Sequence, residues 1–505
     1  MAKLKFKLTE DRSAYTVIGV GLFGKRAKAI DVPDMHKGKP VTAVEENAFA
    51  EVEQLQSVTL PQGITRIPED ILSRPSISAI NVRENFSMDK SVDTNLTFYS
   101  SQDGVLYSGY GKILVKYPLG RYGSELVIPD GVTVIARHAF KDARVGSVVI
   151  PEGVEVIEEE AFVDATLGEV RIPDSVTTVG RSAFKGSSCT DVHIGGGISI
   201  LEPRTFAYCQ RLSHVHLPDS VTAIREGAFT GCTALRGVDI TDLSRWCDVS
   251  FANADSNPIT YAHELSLGGA PVTELSLPER MRPIGEYAFN GCSSLKALSL
   301  PKVESVSDST FRGCHIQTAT VPTRSLSAIP MAELTSLELV GSGKFGLDVL
   351  DSCPLIESVT VSEENEEYRS VDGNLYTKDG KKLVMYARGR RNTHFSVPDG
   401  VEILPPHSIS NDRLQRITIS DSVTHVPAGA VYKCKNLSSV TVGRGVEKIN
   451  ADSFEECPKL ATVNYRGSES RWNEVYDTLY RGSNKNFFLG KKKPTYKVVF
   501  DYKGK

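Results

Sequence analysis

A chain of 505 residues with 24% charged residues and a net charge of −4 carries no basic excess, which argues against nucleic acid as a partner. No run approaches the ~18 apolar residues of a membrane-spanning helix, so membrane insertion is not expected. The nine cysteines contain no Cys-x2-Cys pair, which leaves a zinc site poorly supported by them.

Residues 1–40 read as an N-terminal cap, with FKLTEDRSAYTVIG as a β-hairpin turning near Asp11. Gly19, Gly21 and Gly24 spell G-x-G-x-x-G, but Pro33 falls where a dinucleotide fold needs a long helix. A glycine-rich turn is the simpler reading. Repeating blocks begin at Val41–Phe49 and Ile64–Leu72, the second with Leu where Phe is usual. They are clearest over 126–235, where Phe140, Phe162, Phe184, Phe206 and Phe229 follow one another at spacings of 22, 22, 22 and 23 residues. A fixed period in this range predicts a solenoid, in which each repeat buries its apolar edge only against its neighbours.

Each block opens with a short alternation, as in LSHVHLP. Val215 and Leu217 point one way, His214 and His216 the other, and Pro218 ends the run. That is a short strand with one buried face. Seven cysteines, Cys209, Cys232, Cys292, Cys314, Cys353, Cys434 and Cys457, each lie three residues after the Phe position, as small buried members of a core ladder.

Insertions interrupt the period near 73–125, 236–275 and 356–397. The first and third share one pattern, DGVLYS…KILVKYP and DGNLYT…KKLVMY, which predicts a hairpin after Asp-Gly. The second holds Trp246, Cys247 and Pro258. The repeat is degraded over 322–355, with Leu334 and Leu350 in the Phe position, and returns at Val401–Ile409, Val423–Val431 and Val446–Phe454. Residues 463–505, with Trp472 on a short helix, form a C-terminal cap. The expectation is one solenoid over 1–505, with about 14 repeats in 41–462.

The pattern L-x-x-V-x-[IL]-P-[DE]-x-V-T-x-I-x-x-x-A-F-x-x-C, matched almost throughout by LSHVHLPDSVTAIREGAFTGC at Leu212–Cys232, resembles the BspA-like leucine-rich repeat family. DLSRWCDVSF, DGVLYS and VNYRGSESRWNEV resemble its recurrent insertions and closing segment. The resemblance implies a β-rich leucine-rich repeat solenoid. Its parallel sheet would lie on the concave side, with short turns or 3-10 pieces on the convex side and β-hairpin insertions. It also implies a protein-binding role without catalytic activity or cofactor, in bacterial surface proteins that adhere to host proteins or to other cells.

Function on such a scaffold is expected on the outward strand positions. One column runs Ser147, Glu169, Asp191, His214, Gly237, and the next Val149, Arg171, His193, His216, Asp239. With strands ~4.8 Å apart and i, i+2 side chains ~7 Å apart, Glu169, Arg171, Asp191, His193, His214, His216 and Asp239 should form one charged patch. The simplest account is a solvated sheet face, and the functional account is a protein contact. The histidines and Asp239 are metal-ligand types, but ladder spacing looks wide for one ion, so no metal is assigned. A partner bound there should respond to pH near the histidine pKa of ~6.5.

No G-x-S-x-G, H-E-x-x-H or phosphate-loop pattern occurs, so no catalytic residues are assigned. The leading expectation is therefore an adhesin-like binding protein, contacting a host extracellular or bacterial surface protein through its concave face. An intracellular scaffold of the same fold is the alternative. A glycan-binding protein, with Trp246 or Tyr107 and Tyr376 as a sugar platform, is a third. Charged residues interrupt the N-terminal 21 residues, and KVVFDYKGK carries no hydrophobic anchor. Either the protein is cytoplasmic, or a leader and anchor have been removed from a secreted or surface protein.

Overall fold

In the computed structural model, residues 3–61, 63–83, 99–123, 125–477, 479–481, 488–491 and 496–503 are described. The chain is a β-solenoid of short parallel strands, divided into two compact units. One comprises Met1–Pro271 with Gly285–Cys292, the other Val272–Ile284 with Ser293–Lys505.

The first unit shows the physics of a rung most clearly. Strands Glu169–Arg171, Asp191–His193, His214–Leu217 and Gly237–Ile240 pair in parallel. Val170, Val192, Val215 and Val238 point inward and are buried, while their neighbours point out. Proline ends two of these runs, at Pro173 and Pro218, because it has no N–H to leave unpaired. Its carbonyl then closes the corner by accepting the N–H three residues on, as in Val154 to Pro151 and Val221 to Pro218. At Gly195 the same corner lies so close to the backbone of Ile172 and Pro173 that a Cβ would collide with it, which explains glycine at 195.

A second parallel ladder follows at Val134–Ile135, Val156–Ile157 and Thr178–Val179. Beyond it the five phenylalanines stack, with ring centroids 4.6, 4.8, 5.3 and 5.6 Å apart from Phe140 to Phe229. All five are buried, each stabilising by about 1.5–3 kcal/mol. Two residues before each Phe the backbone is left-handed, at His138, Glu160, Ser182, Arg204 and Gly227. The thiols of Cys209 and Cys232 donate to the carbonyls of Phe184 and Phe206 one rung back, both at 3.1 Å. All nine cysteines are free and all but Cys457 are buried, so the column is packing, as expected.

Leu4–Leu8 and Tyr15–Val20 form the entry hairpin, with Asp11 accepting bonds from Thr9 and Ser13 at its turn. Leu22–Gly24 is a single 3-10 turn leading to the extended Ala29–Asp31, not a helix, so the glycine motif is a turn. The segments read as caps and insertions also supply rungs. Ala29–Asp31 pairs in parallel with Ser57–Leu60, Leu265–Leu267 with Gly237–Ile240, and Lys497–Val499 with Thr462–Tyr465. About 19 turns result among the described residues, more than a phasing on Phe finds.

In the second unit one sheet joins Glu274–Ser276, Ala297–Ser299, Thr318–Pro322, Ser336–Val340 and Ser358–Val361. Its rung shortens to 18 residues between Thr320 and its partner Glu338, where a 3-10 segment, Thr323–Ala328, replaces the longer return. Another sheet joins His394–Ser396, Arg416–Ile419, Ser439–Val442, Thr462–Tyr465 and Lys497–Val499. The short helix expected around Trp472 forms at Glu469–Val475, capped by Ser468, and buries Trp472.

Both predicted hairpins form. Val105–Ser108 lies between Tyr99–Gln102 and Ile113–Lys116, and Asn374–Thr377 between Tyr368–Val371 and Leu383–Met385. The first insertion's residues 84–98 lie outside the described set.

Candidate functional site

The two outward columns form in the expected register: Glu169, Asp191, His214 and Gly237 align across the strands, as do Arg171, His193, His216 and Asp239. Alternation puts their valines in the core and leaves these side chains on the open face of the sheet.

Six of the seven residues converge. Asp191 Oδ1 lies 3.3 Å from His193 Nε2 and 3.4 Å from His216 Nε2. Glu169 Oε1 reaches within 3.6 Å of His193 Nε2 and also pairs with Arg171. On the far side, Asp239 Oδ2 lies 3.4 Å from His216 Nδ1, and Asp239 Oδ1 accepts the Gly269 N–H at 2.7 Å. The two imidazoles stack with centroids 4.0 Å apart and planes 3° from parallel. Burial, His216 and Arg171 together hold His193 below its ordinary pKa, against the opposing pull of Asp191 and Glu169.

His214 does not join them. Its Nδ1 shares a 3.0 Å hydrogen bond with Ser213 Oγ, and its ring leans over Gly237, where a Cβ would stand 2.7 Å from the ring. Glycine at 237 is what lets the ring lie down.

The strand spacing suggested ligand atoms too far apart for one ion. The side chains lean together instead, so that one atom each from Asp191, His193 and His216 lies within 4.8 Å of the others. The sequence reading missed Gly269, whose N–H positions Asp239. Gly269 sits in the 236–275 insertion, outside the repeat, and no periodic signal points to it.

The sugar-platform reading is overturned. Trp246, Tyr107 and Tyr376 are all at most 3% exposed. Trp246 Nε1 donates to Ala288 O at 2.9 Å, and both tyrosines are packed inside the hairpins. Aromatic rings that fill the core cannot present a face to a ring of a sugar.

The BspA type leucine rich repeat region matches residues 24–100, 128–257, 267–368 and 388–484, in six copies. The chain belongs to this family. Among solved structures it is similar to a leucine-rich repeat protein from Bacteroides ovatus, at 16% identity over 99% of both chains and a TM-score of 0.36. A leucine-rich repeat protein from Eubacterium ventriosum is 16% identical over 62% of this chain and 93% of its own, with a TM-score of 0.35. A leucine rich cell surface protein from Faecalibacterium prausnitzii is 16% identical over 94% and 97%, with a TM-score of 0.23. No curated protein matches. Membership in the family rests on the repeats, and no helix among the described residues is long and apolar enough to cross a membrane.

Proposed function

We propose that this protein is a non-enzymatic binding solenoid that holds a protein partner on the outward face of the sheet spanning Glu169–Ile240. The observation that carries the reading is the convergence of Glu169, Arg171, Asp191, His193, His216 and Asp239 on one face whose inward residues are all committed to the core. Side chains of this kind, a quarter to two-thirds exposed and both signed and aromatic, suit polar recognition of another protein. With the family's character, the partner is a host extracellular or bacterial surface protein, and the chain acts as an adhesin at the cell surface. A second reading, an intracellular scaffold using the same face, is favoured by the nine free thiols, since a reducing compartment keeps thiols unpaired.

The test is a pull-down with the purified chain from three sources: host extracellular proteins, bacterial surface extract and the parent cell's cytosol. The adhesin reading predicts saturable capture from one of the first two, lost in an Arg171→Ala/His216→Ala variant. Capture from cytosol alone, lost in the same variant, selects the scaffold. Capture that the variant retains contradicts the assignment of this face.

A further inference from the structure

The geometry points to a site for a divalent transition ion of the zinc class, with Asp191 Oδ1, His193 Nε2 and His216 Nε2 as its ligands. It stands apart from the partner-binding reading, because an ion can bind the free chain.

Three observations carry it. First, the two carboxylate–imidazole separations are right, and the two imidazole nitrogens lie within 4.8 Å of each other. Ligands held ~2.0–2.2 Å from zinc in a tetrahedron lie ~3.3–3.5 Å from one another. The two carboxylate–imidazole separations are 3.3 and 3.4 Å. Second, Asp191 Oδ1 is buried and has no hydrogen-bond partner, although two imidazole nitrogens stand beside it. A buried carboxylate oxygen without a donor is costly, and a cation there removes the cost. Third, a second layer is in place. The other nitrogen of His216 faces Asp239, whose carboxylate is fixed in turn by the Gly269 N–H. A carboxylate behind a ligating histidine sets its tautomer and orientation and raises its basicity.

The imidazoles are parallel, whereas an ion must lie in both ring planes. Binding therefore requires the rings to turn toward each other about their Cβ–Cγ bonds. Both side chains are about a third exposed and face solvent, so the rotation displaces no core atom. Two imidazoles and one carboxylate suit zinc and its first-row neighbours, while calcium and magnesium prefer all-oxygen sites. Three protein ligands leave the fourth position open on the solvent side.

The experiment is a calorimetric titration of the full chain with Zn2+, with Ca2+ and Mg2+ alongside, followed by X-ray absorption of the zinc-loaded protein. The expected result is one Zn2+ per chain and no heat from Ca2+ or Mg2+. Affinity should fall at least about a hundredfold in His193→Ala, His216→Ala and Asp191→Asn, and about tenfold in Asp239→Asn. His214→Ala, on the same face but leaning away, should bind like the parent and serves as the folded control. The absorption data should show nitrogen and oxygen at ~2.0–2.1 Å without sulfur at ~2.3 Å. Equal affinity in the parent and the three ligand variants, a sulfur shell, or failure of the parent to bind Zn2+ would each overturn the site.

Discussion

The two units run the same coil but decorate it differently. In the first, the outward columns carry Glu169 and Arg171, Asp191 and His193, then His216 and Asp239. In the second they are mostly hydroxyls: Ser299, Thr318, Thr320, Ser336, Ser358 and Thr360, then Thr418, Ser439, Thr441 and Thr462. The cores differ as well. The Phe ladder of the first unit gives way to Ile409, Val431 and Phe454, where Val431–Tyr432 pairs as a short strand with Phe454–Glu455. The coil needs an apolar inward row, but it sets neither the ring chemistry of its corner column nor the outward one. Those are the freedoms in which a unit can differ in stability and in binding.

The hairpin copies sharpen the point. Their frameworks correspond: Tyr107 with Tyr376, Tyr117 with Tyr386, Leu114 with Leu383, all buried. Arg121 and Arg390 each donate to the carbonyl of the Asp at the turn, Asp103 and Asp372. They part at a few buried positions, among them Lys116, which stands where the second copy has Met385. Lys116 Nζ donates to His138 O at 2.9 Å, and burial pulls its pKa down to about 8, weakly opposed by Glu69 and Asp142.

The core difference should produce the largest effect. Phe162→Ala removes a ring stacked on both sides and should cost about 3–5 kcal/mol, whereas Ile409→Val should cost about 0.5–1.5 kcal/mol. Trp246 and Trp472 lie in different units and are both buried, so urea unfolding followed in single-Trp variants reports each unit separately. Equal losses in the two units would erase the distinction.

Lys116→Met imports the second copy's residue into the first. The folded-state pKa of about 8 lies below the ordinary ~10.4, so the unfolded chain binds more protons between those values. Parent stability should therefore rise with pH through that window, with the full burial cost present below pH 8. The Met variant should be more stable at pH 7 by up to about 3 kcal/mol, and the advantage should vanish by about pH 10.5. A difference independent of pH would assign the effect to packing instead.

Smaller changes belong to the backbone and the face. Ser182 holds a left-handed φ of +55°, in the column where Gly227 already stands. Ser182→Gly should stabilise by about 1 kcal/mol, read from the Trp246 unfolding midpoint. Replacing the outward His193 and His216 with Thr, as on the second unit's sheet, should move that midpoint by no more than about 0.5 kcal/mol.

Much of this was legible in the sequence because the repeat is strict. Spacing located the Phe stack, the cysteine column and the register that aligns Asp191 with His214 and His193 with His216, and the shared Asp-Gly pattern located the two hairpins. Side-chain lean was not legible. Whether a histidine reaches its neighbour or lies over Gly237 depends on local room, and equal spacing makes His214 and His216 look alike. The role of Gly269 and the burial of Trp246 lay hidden for another reason. Both fall in a segment without period, where a residue's surroundings come from distant parts of the chain.

The most direct measurement compares capture of a protein partner by the parent chain and by a variant whose six convergent residues carry the second unit's hydroxyls. The substitutions are Glu169→Ser, Arg171→Ser, Asp191→Thr, His193→Thr, His216→Thr and Asp239→Thr, with the Trp246 unfolding midpoint measured on both. Loss of capture with the midpoint preserved is the predicted result. Undiminished capture by the substituted chain would contradict the assignment of binding to this face.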